Sequence, residues 1–328
     1  MQMKGAAMRR RYSKTRRVLA ALAAAASVAA ASAVPAQAAT ATFPKVSDCS
    51  TFTDFYSNWQ RVPHPVQGTG TSWVPQGLAF DPVHRWILTS YYDGTEGVPA
   101  SDKEPSRIVV TTLRGDLVKT LRINTADVDR GGHAGGLAVG RGRLYIASTE
   151  HGPRVISIDL GAIARTRDAG TLPESPTYDV DAASYAAFHD GRLYMGDFEK
   201  DTMYSYVVAR NGAPIPATRK TYSTPTLVQG AAVTDRSFVF SRSYGRTRMS
   251  YLTTQDRRTG ARRDAGLPNM AEGITWAPRG GRSAPTDLYV LFESGSAAYG
   301  DASSGGAATC VTTHLWHRSR TAVVGSHG

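Results

Sequence analysis

The chain has 328 residues, 41% of them hydrophobic and 9% aromatic, which supplies a core for one large domain or two ordinary ones and excludes a disordered protein. Only 20% are charged while 32 are glycine and 17 proline, a turn-rich composition that disfavours coiled coils and long-helix bundles and points to many short strands. The net charge of +11 invites a nucleic-acid reading, yet the excess is gathered at one end.

Residues 1–38 carry Lys4, Arg9, Arg10, Arg11, Lys14, Arg16 and Arg17 and no acid. An Ala-rich apolar stretch follows from Val18 to Val34, then Ala36-Gln37-Ala38, which fits the small-x-small cleavage rule. This segment is expected to be a cleaved signal peptide, and outside it the excess of basic over acidic residues falls to four. No later segment is apolar for long enough to span a membrane. The expected mature protein is secreted, extracellular and monomeric: an N-terminal segment 39–49, one domain over 50–320 and a tail 321–328. Its two cysteines, Cys49 and Cys310, stand near opposite ends, and an oxidising compartment lets them form a disulfide.

After Cys49, the segment Phe52 to Trp59 has no evident partner of its own and is expected to be a strand. A short Gly/Ala/apolar start then recurs as Gly77-Leu78-Ala79, Gly136-Leu137-Ala138, Tyr185-Ala186-Ala187, Gly230-Ala231-Ala232 and Gly273-Ile274-Thr275, at steps of 59, 49, 45 and 43 residues. Each start precedes a turn and a second apolar strand: Arg85 to Leu88, Arg143 to Ile146, Arg192 to Met195, Ser237 to Phe240 and Asp287 to Val290. Third strands follow at Arg107 to Leu113, Arg154 to Leu160, Thr202 to Val208, Arg248 to Thr254 and Thr312 to His317, with more polar candidates such as Asp116 to Ile123 after them. The period fits four-stranded propeller blades, with small residues at the crowded axis and β-branched and aromatic residues between blades. The expected fold is all-β, a single five-bladed β-propeller. Its fifth repeat lacks an outer strand; the segment Phe52 to Trp59 is expected to supply it, and the Cys49 to Cys310 bridge to staple that closure.

The texture of Pro75-Gln76-Gly77-Leu78-Ala79 and Ala271-Glu272-Gly273-Ile274-Thr275 resembles secreted bacterial propellers of the NHL, strictosidine-synthase-like and gluconolactonase-like group, over most of the mature chain. Those have six blades where this chain shows five repeats. The resemblance implies that Glu272, before the first strand of a blade, helps to hold a divalent metal at the axis.

Strand direction alternates within a blade, so residues before the first strand and residues ending the second share one face. That face gathers Gln76, Gln229, Glu272 and His133 from the first set, and Tyr92, Glu150, Glu199, Tyr244, Asp197, Arg242 and Glu293 from the second. Three readings remain open. Glu272, Glu150, Asp197 and Glu199 offer oxygen ligands for Ca²⁺. Glu272 and Glu150, with His133, could divide acid and base work on a small polar or saccharide ligand held by Gln76, Gln229, Tyr92, Tyr244, Arg242 and Glu293, as in a hydrolase or lyase. The same groups could form a polar plug in a water-lined channel, leaving a non-catalytic wall-binding or protein-interaction module. The basic run Arg257 to Arg263 is a hairpin turn that could touch an anionic cell-wall polymer, and no nucleic-acid motif accompanies it. Long connectors at Gly94 to Ser106 and Gly295 to Val311 are expected to wall one side of the mouth with Glu96, Asp102, Tyr299 and Asp301.

Overall fold

The computed structural model describes residues 43–279, 284–301 and 303–325; the expected signal peptide lies outside them. The chain forms five four-stranded antiparallel sheets arranged as a five-bladed propeller. Blade one comprises Trp73–Asp81, Trp86–Asp93, Arg107–Thr112 and Leu117–Arg122. Blade two comprises Leu137–Gly140, Arg143–Ser148, Arg154–Asp159 and Thr177–Asp179, with a helix, Leu160–Arg165, before its outer strand. Blade three is Tyr185–His189, Arg192–Gly196, Thr202–Val208 and Pro214–Ser223, and blade four is Val228–Val233, Ser237–Arg242, Ser250–Asp256 and Arg262–Leu267. Blade five takes Ala271–Ala277, Asp287–Phe292 and His314–Ser319 from the end of the chain and Gln60–Pro65 from its beginning.

The residue types dictate these layers. Second strands lie between neighbouring blades, so both of their faces are covered; all six residues of Ser237–Arg242 are buried. The outer strand Pro214–Ser223 is mostly exposed and correspondingly polar. Hairpins between first and second strands turn on Arg141-Gly142 and Asp190-Gly191, each pair at positive φ, the backbone that suits the right-handed twist of the flanking strands. At the axis the inner strands meet backbone to backbone. A Cβ on Gly77 would lie 2.4 Å from the Gly135 carbonyl oxygen, one on Gly136 2.5 Å from the Ala186 nitrogen, and one on Gly273 2.5 Å from the Leu78 nitrogen. At these three positions of the waist only glycine fits without a shift of the neighbouring backbone.

Ring closure differs from expectation in one element. The segment expected as a strand from Phe52 to Trp59 is helical, as Cys49–Phe52 and Thr53–Asn58, and the closing strand is the next one, Gln60–Pro65, paired antiparallel with His314–Ser319. The reason is periodicity: Phe52, Phe55 and Trp59 recur at helical spacing and bury one apolar stripe. Phe55 stacks on Trp59 at 5.2 Å and meets Phe292 and Trp316 of blade five. The bridge joins Cys49, at the start of these helices, to Cys310 before the third strand of that blade, 261 residues apart. The flanks also carry structure: Phe43 is buried, Lys45 bridges Arg248, and Arg320–Val324 is a short helix that buries Val323.

Candidate functional site

Three inner strands break register where the chemistry sits. One extra residue enters blade one between Pro75 and Leu78, blade four between Val228 and Gly230, and blade five between Ala271 and Ile274. Such bulges re-aim side chains, and those at the bulges are Gln76, Gln229 and Glu272, all of which line one cavity of about 420 Å³ at the axis. Serines of the second strands satisfy the displaced backbone: Gly77 donates its N–H to Ser90 Oγ at 2.9 Å, and Ser241 Oγ donates to the Glu272 carbonyl. The chain enters two of these strands through Leu227 and Met270 at φ of 62° and 63°, a strained backbone for large side chains, held by hydrogen bonds to Phe198 and Glu293.

The cavity is built around two carboxyls. Glu272 and Glu293 are nearly fully buried and hydrogen-bonded to each other. Burial raises Glu272 well above the ordinary carboxylate range, and the charge and hydrogen bond of Glu293 raise it further. Burial raises Glu293 too, but hydrogen bonds from Glu272, Tyr299 and Gln76 favour its charged form. Gln76 Nε2 donates to Glu293 Oε1 at 2.7 Å. Two adjacent carboxyls in one dry site cannot both ionise cheaply, so they titrate as a pair that favours keeping one proton between them. Tyr299 extends the chain of bonds from Glu293 to the Tyr92 hydroxyl at 2.9 Å, and burial raises both phenols. His133 stacks on Tyr92 with ring centroids 4.1 Å apart; its edge meets solvent, yet desolvation and the nearby Lys103 charge lower its pKa. Arg246 lies 4.7 Å over the Tyr299 ring and supplies positive charge to Glu293.

The mouth is lopsided. Glu96 accepts from Ser303 Oγ and the Ser304 N–H, both at 3.0 Å, so the long connectors of blades one and five are tied together beside Tyr299. Asp102 and Asp301 lie exposed on these same connectors.

The cavity gathers Gln76, Gln229, Tyr92, His133, Glu272, Glu293 and Tyr299 among the expected residues and leaves the others outside its lining. Glu150 accepts the Asp129 N–H at 2.9 Å and the His133 N–H, so it shapes the connector that carries His133. Asp197 pairs with Lys200 at 3.2 Å and accepts the Glu199 N–H, while Glu199 faces solvent. Glu272, Glu150, Asp197 and Glu199 therefore do not converge as the expected Ca²⁺ ligands, and among the described residues no group of three or more His, Cys, Asp or Glu is placed to hold a metal ion. Arg242 is buried within blade four, donating to the Thr226 carbonyl at 3.0 Å, and Tyr244 is exposed. Arg246 and Met270 were missed: nothing local distinguishes Arg246 from Arg242, four residues earlier. Of the basic run, Arg257, Arg262 and Arg263 are spent on bonds to Thr234, Gln255 and Val323.

No protein-family model matches the chain, and no curated protein matches it. Solved structures similar to it include glutaminyl cyclase of Myxococcus xanthus, at 14% identity over 80% of this chain and 98% of that one with a TM-score of 0.47. The PQQ-bound aldose sugar dehydrogenase of Streptomyces coelicolor matches at 12% identity over 78% and 96% of the two chains, TM-score 0.45. A GH43_1 enzyme from Xanthomonas citri matches at 11% identity over 79% and 90%, TM-score 0.49.

Proposed function

We propose that this is a secreted propeller that binds a small polar ligand, of saccharide size and hydroxyl-rich chemistry, at the axis and performs acid–base chemistry on it. The observation that carries this reading is the buried Glu272 and Glu293 pair at the base of an open cavity. A ligand entering there meets an acid in Glu272, a hydrogen-bonded carboxylate in Glu293, the amides of Gln76 and Gln229, and the ring of Tyr92 for packing against a sugar face. A cavity of about 420 Å³ has the size of small-molecule sites. Glu272 in this role protonates the leaving oxygen as its bond breaks, and Glu293 accepts the proton of the attacking water or hydroxyl as the new bond forms. The donors do not fit the expected Ca²⁺ set, so the proposal assigns the proton transfers to the carboxyl pair. Extracellular action rests on the expected signal peptide together with the formed Cys49–Cys310 bridge.

The test is a thermal-shift screen of the purified protein against mono- and oligosaccharides, sugar acids and polyols, followed by turnover assays on the hits. Glu272→Gln is expected to keep binding within about threefold and to lose at least about a hundredfold in turnover. Glu293→Gln should weaken both. A hit that binds and turns over equally well in both variants would place the chemistry elsewhere, and binding without turnover in the wild type would leave a non-catalytic binding module.

A further inference from the structure

The proposed ligand meets its acid and its carboxylate on the blade-five side of the polar mouth. Blade four offers a different chemistry. Alternate residues of an extended strand share a side, and Ser241 Oγ donates to the Glu272 carbonyl, so Ser243, two residues on, reaches the cavity. The Ser243 N–H still donates to the Leu227 carbonyl at 3.1 Å, which holds it against the first strand. The bulge between Val228 and Gly230 aims Gln229 into the same cavity, and Arg246 enters it from the connector after the second strand.

These three side chains carry polar groups with nothing to bind. Ser243 is only 3% exposed, yet its Oγ has no hydrogen-bond partner among the described residues and opens on the cavity. The Gln229 amide has none either. Arg246 is held in place: Nη1 donates to Ser303 Oγ and, at 2.8 Å, to the Gly306 carbonyl. Tyr299 packs on the guanidinium, and a Cβ on Gly305 would stand 2.6 Å from its carbon. Nε and Nη2 make no hydrogen bond among the described residues and are not sealed from solvent. The charge is only partly answered. Ser303 Oγ links Arg246 to Glu96, and Glu293 lies in its field, but among the described residues no carboxylate pairs with it directly.

A fixed guanidinium edge, a hydroxyl and an amide call for an anionic acceptor, and the planar fork of arginine matches a carboxylate. Glu272 and Glu293 stand in the same cavity and already resist holding two negative charges, which sets a singly charged carboxylate above a phosphate dianion. We propose that Arg246, with Ser243 and Gln229, anchors a carboxylate of the ligand, so that the polar mouth takes an acidic sugar of the hexuronate class in preference to a neutral one. The inference rests on the reading of this mouth as a saccharide site and adds the charge of the substrate. The Arg246 carbonyl accepts from Asn269 Nδ2 at 2.9 Å and from the Thr309 N–H at 3.1 Å, so the main chain is fixed separately and the side chain can be changed alone.

The experiment is isothermal titration of the purified protein with D-glucuronate, D-galacturonate and D-mannuronate, each against its neutral hexose, and with inorganic phosphate. One or more of the hexuronates is expected to bind about tenfold more tightly than its hexose. Arg246→Gln should abolish that preference, weakening the hexuronate about tenfold and leaving the hexose within about twofold, while Arg246→Lys, which keeps the charge and loses the fork, should retain part of it. A merely structural role, through the tie to Ser303 and Tyr299, would weaken acidic and neutral sugars alike. Ser243→Ala gives a second arm should the arginine variant fold poorly, with a several-fold loss of the preference. Hexoses bound as tightly as their hexuronates, tighter binding of phosphate, or a preference unchanged in Arg246→Gln would each overturn the anchor. A preference that depends on Arg246, with turnover untouched in Glu272→Gln, would keep the anchor and remove the carboxyl pair from the chemistry. No saturable binding of any of these sugars would overturn both.

Discussion

Glu272 shows how one side chain links the axis to the stability of the whole fold. Its folded pKa is raised by burial and by Glu293, so over the pH range where an unfolded carboxyl has lost its proton the native state still holds one. Stability from this source is full below the unfolded value of about 4.3 and falls as pH rises toward the folded value. Wild-type melting temperature should therefore decline as pH rises above the unfolded carboxyl value, and Glu272→Gln, which cannot titrate but can still donate to Glu293, should flatten the decline and match or exceed the wild type at the alkaline end. A variant that keeps the full slope would show that the proton is held elsewhere. Residue roles were only partly legible in the sequence. Position before an inner strand selected Gln76, Gln229 and Glu272 because a propeller sends those residues to the axis. It could not separate Arg242 from Arg246 or foresee that Glu150 would be taken up by backbone N–H groups, since both depend on loop geometry beyond the strands.

At the scale of elements, the repeated Gly/Ala/apolar starts were legible because small residues there answer a physical demand, the backbone contact at the waist. Gly77→Ala would set a methyl group 2.4 Å from the Gly135 carbonyl oxygen, and the clash is with main chain that cannot turn aside. The expected cost is about 1–3 kcal/mol, measured by denaturant unfolding of the oxidised protein. An unchanged midpoint would mean that the waist is looser than the inner strands imply. The segment after Cys49 was less legible. Its aromatic content suits a strand, but Phe52, Phe55 and Trp59 follow helical spacing, and packing against Phe292 and Trp316 decides between the two. The long connectors make a separate prediction. Glu96 is a surface carboxylate that joins them, so Glu96→Ala should leave unfolding within about 0.5 kcal/mol of wild type while hydrogen exchange at the Ser304 amide and its neighbours rises several-fold. Unchanged exchange would show that the Tyr92 to Tyr299 contact alone holds the connector.

For the whole molecule, closure of the ring makes the site, because Glu272 and Glu293 belong to the blade that is completed by the N-terminal strand. The bridge between Cys49 and Cys310 spans 261 residues, and removing it with Cys49→Ala and Cys310→Ala together should cost about 3–5 kcal/mol, read as a lower unfolding midpoint. Loss of closure should also loosen the carboxyl pair, which depends on five blades pressing Gln76, Tyr299 and Glu293 together from neighbouring parts of the ring. Five repeats and two distant cysteines announced this architecture in the sequence; the pairing of the two carboxyls was not announced, because their distance is set by a bulge and a strand end of one blade. The shared proton is the centre of the account, and carbon-13 NMR of protein labelled at the glutamate carboxyl carbons measures it directly. The account predicts one carboxyl resonance that titrates well above the ordinary glutamate range, disappears in Glu272→Gln and moves in Glu293→Gln. A titration in which every glutamate carboxyl ionises below about pH 5 would contradict it.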